Sequence, residues 1–398
     1  MVFNKRREGC MELIEKNKCT GCMACVQGCP MNCISIKENY LGHKYPEIDN
    51  NICINCGKCM KICPEENKVL AKKSVEAYAS WSLNSYNRKT SASGGAASVF
   101  YQVAIKNGFY ICGVEFDENF EVNHSITNDQ SKILKYKQSK YVYSNSEKIY
   151  FDIKKKLDLG THVLFISLPC KIAGLINYLG KKYENLITVD IVCHGTPSYK
   201  MMNEHINYVK KNSHPTRLEF REDNMFMFKL LENNKNIYKK LNILDTYIAA
   251  FLKGINYRES CYQCSYAQNS RISDITICDF WGLGKKKPFN HPYTGSISAV
   301  LINTDKGKSF FEECKDNLFF EERDVSEVLE GNAQLNHPTT KPKEYNKFNE
   351  LYEKYNFDRA VKILYRKEML KFIIKKYVST VNIFIRRIAK FVLKKWRD

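Results

Sequence analysis

Two cysteine runs near the amino terminus constrain this chain more than any other feature of its sequence. The first, CTGCMACVQGCP, covers residues 19–30, and the second, CINCGKCMKICP, covers residues 53–64. Each run reads C-x2-C-x2-C-x3-C-P, a spacing typical of loops that hold cubane iron–sulfur clusters. A zinc site, which prefers paired C-x2-C knuckles, and disulfides are the weaker interpretations.

The fourth cysteine of each run is expected to ligate the cluster of the other run, as in two-cluster ferredoxins. We therefore predict two 4Fe–4S clusters, one held by Cys19, Cys22, Cys25 and Cys63 and the other by Cys53, Cys56, Cys59 and Cys29. The repeat predicts a small α+β ferredoxin-like module over residues 1–72, with short strands near residues 34–36 and 45–48. Cys33 is a spare thiol in this scheme and could replace a lost ligand.

Composition narrows the class of protein further. The 398 residues suggest two or three domains, and the 17 cysteines fall largely in metal-type spacings. The first ten residues are charged and no run of eighteen apolar residues occurs, so the expected location is a reducing cytoplasm. The formal net charge is +19. No recognition motif accompanies this basic character, so nucleic-acid binding is not expected.

Residues 73–345 change to alternating buried strands and amphipathic helices, which predicts an α/β domain. The strand segments are VLFISLPC at 163–170, LITVDIVCHG at 186–195, SDITICDFWG at 273–282 and ISAVLINTD at 297–305. Cys170 and Cys193 each follow the carboxyl end of a predicted strand, which is the edge where open α/β sheets bind ligands.

A further C-x2-C pair, Cys261 and Cys264, lies in the loop ESCYQCSYA. One such pair alone fits a zinc knuckle, a redox dithiol or half of a cluster site. Together with Cys170 and Cys193 it makes a set of four. A third 4Fe–4S cluster is the interpretation that we favour, with zinc or buried structural cysteines as the alternatives.

Several stretches of this α/β domain together resemble the beta subunits of coenzyme F420 hydrogenase and dehydrogenase, which are flavin and iron–sulfur proteins. They are SASGGAASVF at 91–100, QSKYVYS at 138–144, SLPCKIAGL at 167–175, DIVCHGTPS at 190–198, CYQCSYA at 261–267 and SDITICDFWG at 273–282. The resemblance covers roughly residues 75–305. It implies a flavin, FAD, with a cluster close to it, and electron transfer between a two-electron and a one-electron partner.

The resemblance also implies flavin contacts at Ser93, Gly94, Gly95, Ser139 and Lys140. The glycines would let the backbone approach the flavin, and the Lys140 charge would stabilise an anionic reduced flavin or a pyrophosphate. The alternatives are an ordinary helix N-cap turn at residues 93–95 and a solvated surface lysine.

Three more polar residues are candidates for the same site. Asp274 and Asp279 flank a predicted strand, and one of them would bond the cofactor hydroxyls; capping of the strand ends is the alternative. His194 follows a predicted ligand and, with Lys140, is a candidate catalytic residue, because an imidazole can deliver protons near neutral pH. The alternative is a loop histidine that orients the cluster loop.

Residues 346–398 are predicted to form a basic amphipathic helical tail. Leu370, Tyr377, Phe384 and Phe391 recur every seven residues, whereas the lysines and arginines of the segment lie largely on the other face. Such a helix would place the protein peripherally at the inner face of a membrane, or would pack on its own domain or on a partner subunit.

These features predict an iron–sulfur flavoprotein oxidoreductase. Electrons would pass between a redox protein or a deazaflavin, the clusters and the flavin. The flavin would reduce or oxidise an organic substrate of unknown identity, with an envelope or polysaccharide precursor as one candidate. The alternative is an electron-transfer subunit that has no substrate of its own and docks to a catalytic or membrane partner.

Overall fold

The computed structural model describes residues 12–222 and 225–375. Its amino-terminal part is ferredoxin-like, with a short helix in each cysteine run, α1 (Ala24–Gly28) and α2 (Lys58–Lys61). Between them β1 (Ile34–Glu38) pairs antiparallel with β2 (Lys44–Ile48), as the sequence predicts. Gly42 lies in the turn between these strands with a φ of +79°, a conformation that favours glycine.

Strands and helices alternate through most of the remaining chain. The strands are β3 (Lys72–Lys73), β4 (Glu76–Ser82), β5 (Tyr110–Phe116), β6 (Val122–Thr127), β7 (Ser144–Asn145), β8 (Val163–Ser167), β9 (Leu186–Ile191), β10 (Arg217–Glu222), β11 (Met225–Glu232), β12 (Lys235–Leu241), β13 (Ser270–Arg271), β14 (Ile275–Asp279), β15 (Ser298–Ile302) and β16 (Leu318–Arg323). The helices are α3 (Ser85–Lys89), α4 (Ala96–Lys106), α5 (Ile133–Tyr136), α6 (Ile149–Asp158), α7 (Pro169–Leu179), α8 (Tyr199–Lys210), α9 (Thr246–Lys253), α10 (Asp305–Cys314), α11 (Val325–Gly331) and α12 (Tyr345–Lys354).

A nine-stranded sheet forms the centre of the molecule, in the order β16-β4-β15-β14-β9-β8-β5-β6-β7. The four central strands, β14, β9, β8 and β5, are parallel. Antiparallel strands flank them, β15 on one side and β6 on the other. All five residues of β8 are buried, because helices cover both faces of this part of the sheet. The α/β prediction for this region is confirmed.

The two faces of the sheet carry different partners. On one face, α4 and α10 pack against β5, β8, β9, β14 and β15. On the other face, α6 and α7 pack against β8. Cys22 and Ala24 of the first cysteine run belong to this second core. The ferredoxin-like part is therefore packed on the helical layer formed by α6 and α7.

A second, three-stranded antiparallel sheet of β10, β11 and β12 stands apart from the main sheet. It shares a core with α8, α9, α12 and a helix that covers residues 357–375. Phe357, Val361 and Tyr365 are buried in this core. The first half of the predicted tail, as far as it is described, therefore packs on its own domain.

The structure describes the predicted tail only as far as residue 375. Leu370 and Ile374 are exposed, at 48% and 61% of their surfaces. Residues 376–398, which include Tyr377, Phe384 and Phe391, lie outside the described residues. Within residues 12–222 and 225–375, no helix is long and apolar enough to cross a membrane.

Candidate redox site

The predicted second cysteine set surrounds one cavity in the ferredoxin-like part. The cavity is lined by Cys29, Cys53, Cys56 and Cys59, which come from both runs. Cys33 lines it as well, and its Sγ lies 3.4 Å from the Cys29 Sγ. Cys56 is exposed. The structure thus brings the four predicted residues together close to the protein surface, with a fifth thiol beside them.

The predicted first cysteine set lies deeper. Burial raises the pKa of the Cys22 thiol to about 11. A hydrogen bond from the Ala24 backbone N–H opposes this rise, and the nearby Cys19 and Cys63 thiols add to it. Cys25 has a pKa raised by burial and by the same neighbours. The four thiols therefore lie close together in a buried site where a cationic partner would stabilise their thiolate forms.

The predicted third set lines a cavity at the carboxyl edge of the main sheet. Cys170 lies in the first turn of α7, Cys193 follows β9, and Cys261 and Cys264 belong to the loop at residues 259–264. Four thiols around a common cavity match the arrangement that a cubane cluster requires. Among the described residues, no three His, Cys, Asp or Glu side chains converge closely enough to hold a single metal ion.

The first and third cysteine sets are neighbours. Thr20, which follows Cys19, lines the third cavity. A Cβ on Gly174, in α7, would lie 3.1 Å from the Cys22 Sγ, so glycine permits this close approach. The Tyr266 hydroxyl donates a hydrogen bond to the Pro64 carbonyl at 3.2 Å. The two sites therefore share a wall.

Buried polar atoms without hydrogen-bond partners mark the predicted flavin region. They are Ser93 Oγ, Gln138 Oε1, Asp279 Oδ1, and the Nε and Nη2 atoms of Arg88 and Arg221. Buried polar groups are nearly always paired, and unpaired ones indicate that a ligand, an ion or water completes them. The set comprises two guanidinium groups, one hydroxyl, one amide and one carboxylate. The guanidinium groups can bind phosphate and the other groups can form hydrogen bonds, so the residues fit a group such as a flavin nucleotide.

The loop before α4 lies directly on the sheet. A Cβ on Gly94 would lie 2.8 Å from the Ser298 backbone nitrogen, so only glycine fits there. Gly95 is the N-cap of α4 with a φ of +93°. Ser93 makes no capping hydrogen bond to this helix. Ser298 pairs with Asp279 across β14 and β15, which brings the loop beside that carboxylate.

A second segment connects the predicted flavin region with the third cysteine set. Gln138 Nε2 donates to the Thr90 carbonyl at 2.7 Å, Ser139 hydrogen-bonds Tyr141, and Tyr143 lines the third cavity. Lys140 Nζ donates to the Lys137 carbonyl at 2.9 Å. Burial lowers the pKa of Lys140 to about 7, so the solvated-lysine alternative does not describe it.

Asp274 and Asp279 lie at opposite ends of β14, which spans five residues. Arg221 Nη1 donates to Asp279 Oδ2 at 2.8 Å on the carboxyl edge. Asp274 Oδ2 accepts from the Thr188 backbone N–H and hydroxyl, both at 2.9 Å, on the other edge. The structure thus groups Asp279 with the predicted site and gives Asp274 the strand-capping contacts that were its alternative.

His194 lines the third cavity beside Cys193 and is exposed. Its backbone carbonyl accepts a hydrogen bond from Thr339 Oγ1 at 2.6 Å. The side chain thus stands at the cavity mouth, where it can reach solvent and the cysteine loop alike.

Sequence reasoning did not single out Arg88, Arg221, Lys171 or Arg258, all of which are directed into this part of the molecule. Arg88 lies over the Trp81 ring at 4.5 Å, and Arg221 is 5% exposed. No local pattern distinguishes a buried arginine from a solvated one. Lys171 follows Cys170 and Arg258 lies three residues before Cys261, and this proximity was the available signal.

The fold and the cysteine sets define a class, an iron–sulfur protein in which a ferredoxin-like part is fused to an α/β domain. Comparison with known families makes this specific. Residues 160–328 match the family model for the C terminus of the beta subunit of coenzyme F420 hydrogenase/dehydrogenase. Residues 18–67 and 45–94 match two models for 4Fe-4S dicluster domains. The predicted resemblance is confirmed: the chain is an iron–sulfur electron-transfer protein related to these beta subunits.

Three proteins illustrate what the chain is similar to. The F subunit of the F(420)H(2) dehydrogenase of Methanosarcina mazei is 19% identical over 320 residues, which are 77% of this chain and 85% of the relative. An NADH-quinone oxidoreductase subunit I 2 of Symbiobacterium thermophilum is 36% identical over 63 residues, 13% of this chain and 25% of that protein. A protein of the F420-reducing [NiFe] hydrogenase complex from Methanosarcina barkeri is 18% identical, with a TM-score of 0.45 and coverage of 74% of this chain and 93% of the other.

Proposed function

We propose that this protein is an iron–sulfur flavoprotein oxidoreductase with three 4Fe–4S clusters and one FAD. The observation that carries the proposal is the position of the third cysteine cavity. Thr20 of the first cysteine run lines the cavity on one side. His194 and the end of the 138–143 segment line it on another. A cluster held there would stand between the ferredoxin-like part and the predicted flavin residues.

The residues that would hold each group follow from these contacts. The two ferredoxin clusters would take the four thiols of the first and second sets, and the third cluster would take Cys170, Cys193, Cys261 and Cys264. Ser93, Gln138, Arg88, Arg221 and Asp279 would complete their buried hydrogen bonds on the flavin nucleotide. When bound, a flavin exchanges two electrons with an organic compound and single electrons with a cluster.

Electrons would enter or leave at the second cysteine set. Cys56 is exposed there, and Met31 and Ile54 on the rim of the same cavity are 42% and 50% exposed. An exposed apolar rim around a redox centre suits brief docking of an electron-transfer protein. The partner on this side would be a ferredoxin-type protein, and a deazaflavin or another organic substrate would meet the flavin.

Lys140 and His194 would handle charge and protons at the flavin end. Lys140 is held by the Lys137 carbonyl with its pKa lowered to about 7, so it can lose or regain a proton at physiological pH. His194 stands at the mouth of the third cavity, where it can relay a proton to solvent.

A second candidate function is an electron-transfer subunit without a substrate of its own. The exposed apolar residues Leu370 and Ile374, with Lys371 and Lys375 beside them, favour it, since they offer a face for a partner subunit or an anionic membrane surface. The relatives named as dehydrogenase and oxidoreductase subunits point the same way.

The proposal is tested by the content of iron, acid-labile sulfide and flavin in protein purified without oxygen. We expect about twelve irons and one flavin per chain. Cys264→Ala should then remove about four irons and leave the ferredoxin clusters intact. About eight irons and no flavin in the unaltered protein would contradict the proposal and leave the electron-transfer subunit as the better assignment.

A further inference from the structure

Two buried cations stand between the first and third cysteine sets. Arg258 is fully buried, and its Nε donates to the Cys19 carbonyl at 2.6 Å, while its Nη2 lies 3.7 Å from the Cys19 Sγ. Lys171 is 1% exposed, and its Nζ donates to the Gly21 carbonyl at 2.7 Å and to Ser146 Oγ at 3.0 Å. Both side chains therefore reach into the first cysteine loop.

Neither cation has a carboxylate partner. Within the described part of the chain, no Asp or Glu oxygen forms an ion pair with Arg258 or Lys171, and Arg258 Nη1 has no hydrogen-bond partner. Other buried arginines do have one: Arg271 pairs with Asp190 at 2.8 Å and Arg323 with Glu327 at 2.8 Å. Burial of an uncompensated charge is costly, so these two cations require a negative partner.

The thiolates of the first set are within reach of both cations. Arg258 touches the Cys19 sulfur, and both Cys19 and Cys22 stand in the loop that Lys171 holds through Gly21. Four thiolates outweigh the charge of a 4Fe–4S core, so the site as a whole is anionic. The two cations compensate that charge, and the orphaned Nη1 atom fits the same assignment.

Both cations are anchored in the third cysteine set by their backbones. The Arg258 N–H donates to the Thr196 carbonyl at 3.1 Å, and its carbonyl accepts from the Cys261 N–H at 2.9 Å. Lys171 directly follows Cys170 in α7. Each cation therefore belongs by sequence to the third set and by contact to the first, so it lies between the two redox centres.

Among the described residues, those that line the second cysteine cavity include no such cation. Besides its cysteines, its cavity is lined by Pro30, Met31, Ile34, Ile48, Ile54 and Gly57, none of which is charged. The two ferredoxin sites therefore differ in electrostatics although their cysteine spacing is the same. The two cysteine runs share one spacing, whereas the contacts of Arg258 and Lys171 make the surroundings of the first set more electropositive.

We propose that Arg258 and Lys171 raise the reduction potential of the cluster at Cys19, Cys22, Cys25 and Cys63 above that of the second cluster. Each added electron increases the negative charge of a cluster, and a buried cation stabilises that charge. The asymmetry favours electron transfer from the exposed second set to the first set. The inference depends on the clusters of the proposed function, but it does not depend on the flavin.

The test is a redox titration of the anaerobically purified full chain, followed by electron paramagnetic resonance. Arg258→Gln and Lys171→Met should each shift one midpoint potential to a more negative value. The double variant should shift it further, and Arg258→Lys should shift it less, because it keeps the charge. Arg323→Gln is the matched control: it removes a buried arginine that pairs with Glu327, and all midpoint potentials should stay unchanged.

The results distinguish the effect of the two cations from the presence of the clusters themselves. Full iron content with unchanged midpoint potentials in Arg258→Gln and Lys171→Met overturns the inference alone. Missing clusters in the unaltered protein overturn the proposed function instead. If Arg258→Gln does not fold, Lys171→Met decides the question. If Arg258→Gln loses only the first cluster, the midpoint potentials of Arg258→Lys and Lys171→Met decide the question.

Discussion

At the scale of single residues, the second cysteine set has one sulfur more than a cubane cluster needs. Cys33 Sγ lies 3.4 Å from Cys29 Sγ, and both line the same cavity. A hairpin that begins at Ile34 holds Cys33 in place, so this thiol is available without rearrangement of the fold. Since a cluster is bound by thiolates of suitable position, we expect Cys33 to be able to substitute for Cys29.

We expect Cys29→Ala to keep most of its iron, because Cys33 takes over the fourth position. The double variant Cys29→Ala with Cys33→Ala should lose about four irons per chain. Iron analysis and the resonance spectrum of the reduced protein measure both. Cys56→Ala serves as the control, because Cys56 is a predicted ligand of the same cluster and its replacement should cause iron loss on its own. Equal iron loss in Cys29→Ala and in the double variant would contradict the substitution.

Some residues of the candidate site could be predicted from the sequence and others could not. The three cysteine sets were foreseeable because cluster ligands recur at short, fixed spacings or at strand ends. Arg258 was not, since its partner Cys19 is 239 residues away and nothing local marks an arginine as buried. Arg221 was not predictable for the same reason, because its contact is with Asp279 from another sheet. Asp274 and Asp279 looked alike in sequence and separated only when β14 placed them at opposite edges.

At the scale of elements, a buried histidine joins α8, α9 and the helix at residues 357–375. His205 is bonded through Nε2 to Asp245 Oδ2 at 3.0 Å and through Nδ1 to Asp358 Oδ1 at 2.8 Å. Burial alone would lower its pKa, but the two carboxylates outweigh that effect and raise the pKa to about 9. Protonated His205 therefore helps to hold the last described helix on the domain.

This network predicts a pH dependence of stability. The folded pKa of His205 lies above the unfolded value of about 6.5, so its contribution is complete below pH ~6.5 and is lost as the pH rises towards 9. We expect the free energy of unfolding to fall across that window by on the order of 3 kcal/mol. His205→Gln should flatten the dependence. An identical pH profile in His205→Gln would sink the assignment.

The ferredoxin-like part depends on its metal more than the sheet domain does. Its own hydrophobic cluster has only three buried members, Cys33, Ile34 and Cys59, with partly buried neighbours. Removal of the iron by anaerobic oxidation and chelation should therefore unfold this part, because metal binding supplies much of its folding free energy. Hydrogen exchange should become fast in β1 and β2 and stay slow in β8 and β9. Retained protection in β1 and β2 after full iron removal would contradict this dependence.

At the scale of the whole molecule, the central parallel strands were predictable and the second sheet was not. Strands β8 and β9 consist almost entirely of buried residues, which is the pattern of a parallel sheet covered on both faces. Strands β11 and β12 instead pair across a bulge between Leu230 and Leu231, which breaks the alternation of a regular strand. The packing of Cys22 and Ala24 into the α6–α7 layer could not be predicted from the sequence either, because it joins segments far apart in the chain.

Because of that packing, the three predicted redox sites follow one another from the first cysteine set through the third set to the predicted flavin residues. Thr20 and Gly174 place the first set against the third, and Tyr143 and His194 line the third on the side of the predicted flavin residues. Cys264→Ala should therefore leave the ferredoxin clusters reducible by a reduced ferredoxin while flavin reduction by that donor stops. A hydride donor that meets the flavin directly should still reduce it.

Anaerobic stopped-flow absorbance with each donor measures both steps. Cys314→Ala is the control, because Cys314 is a buried thiol of α10 outside the three cysteine sets, and its loss should leave both rates unchanged. If ferredoxin reduces the flavin of Cys264→Ala at the normal rate, electrons bypass the third set. The shared wall between the first and third sites would then be structural only. If ferredoxin no longer reduces the flavin while the hydride donor still does, the third set is the obligatory connection between the ferredoxin-like part and the flavin.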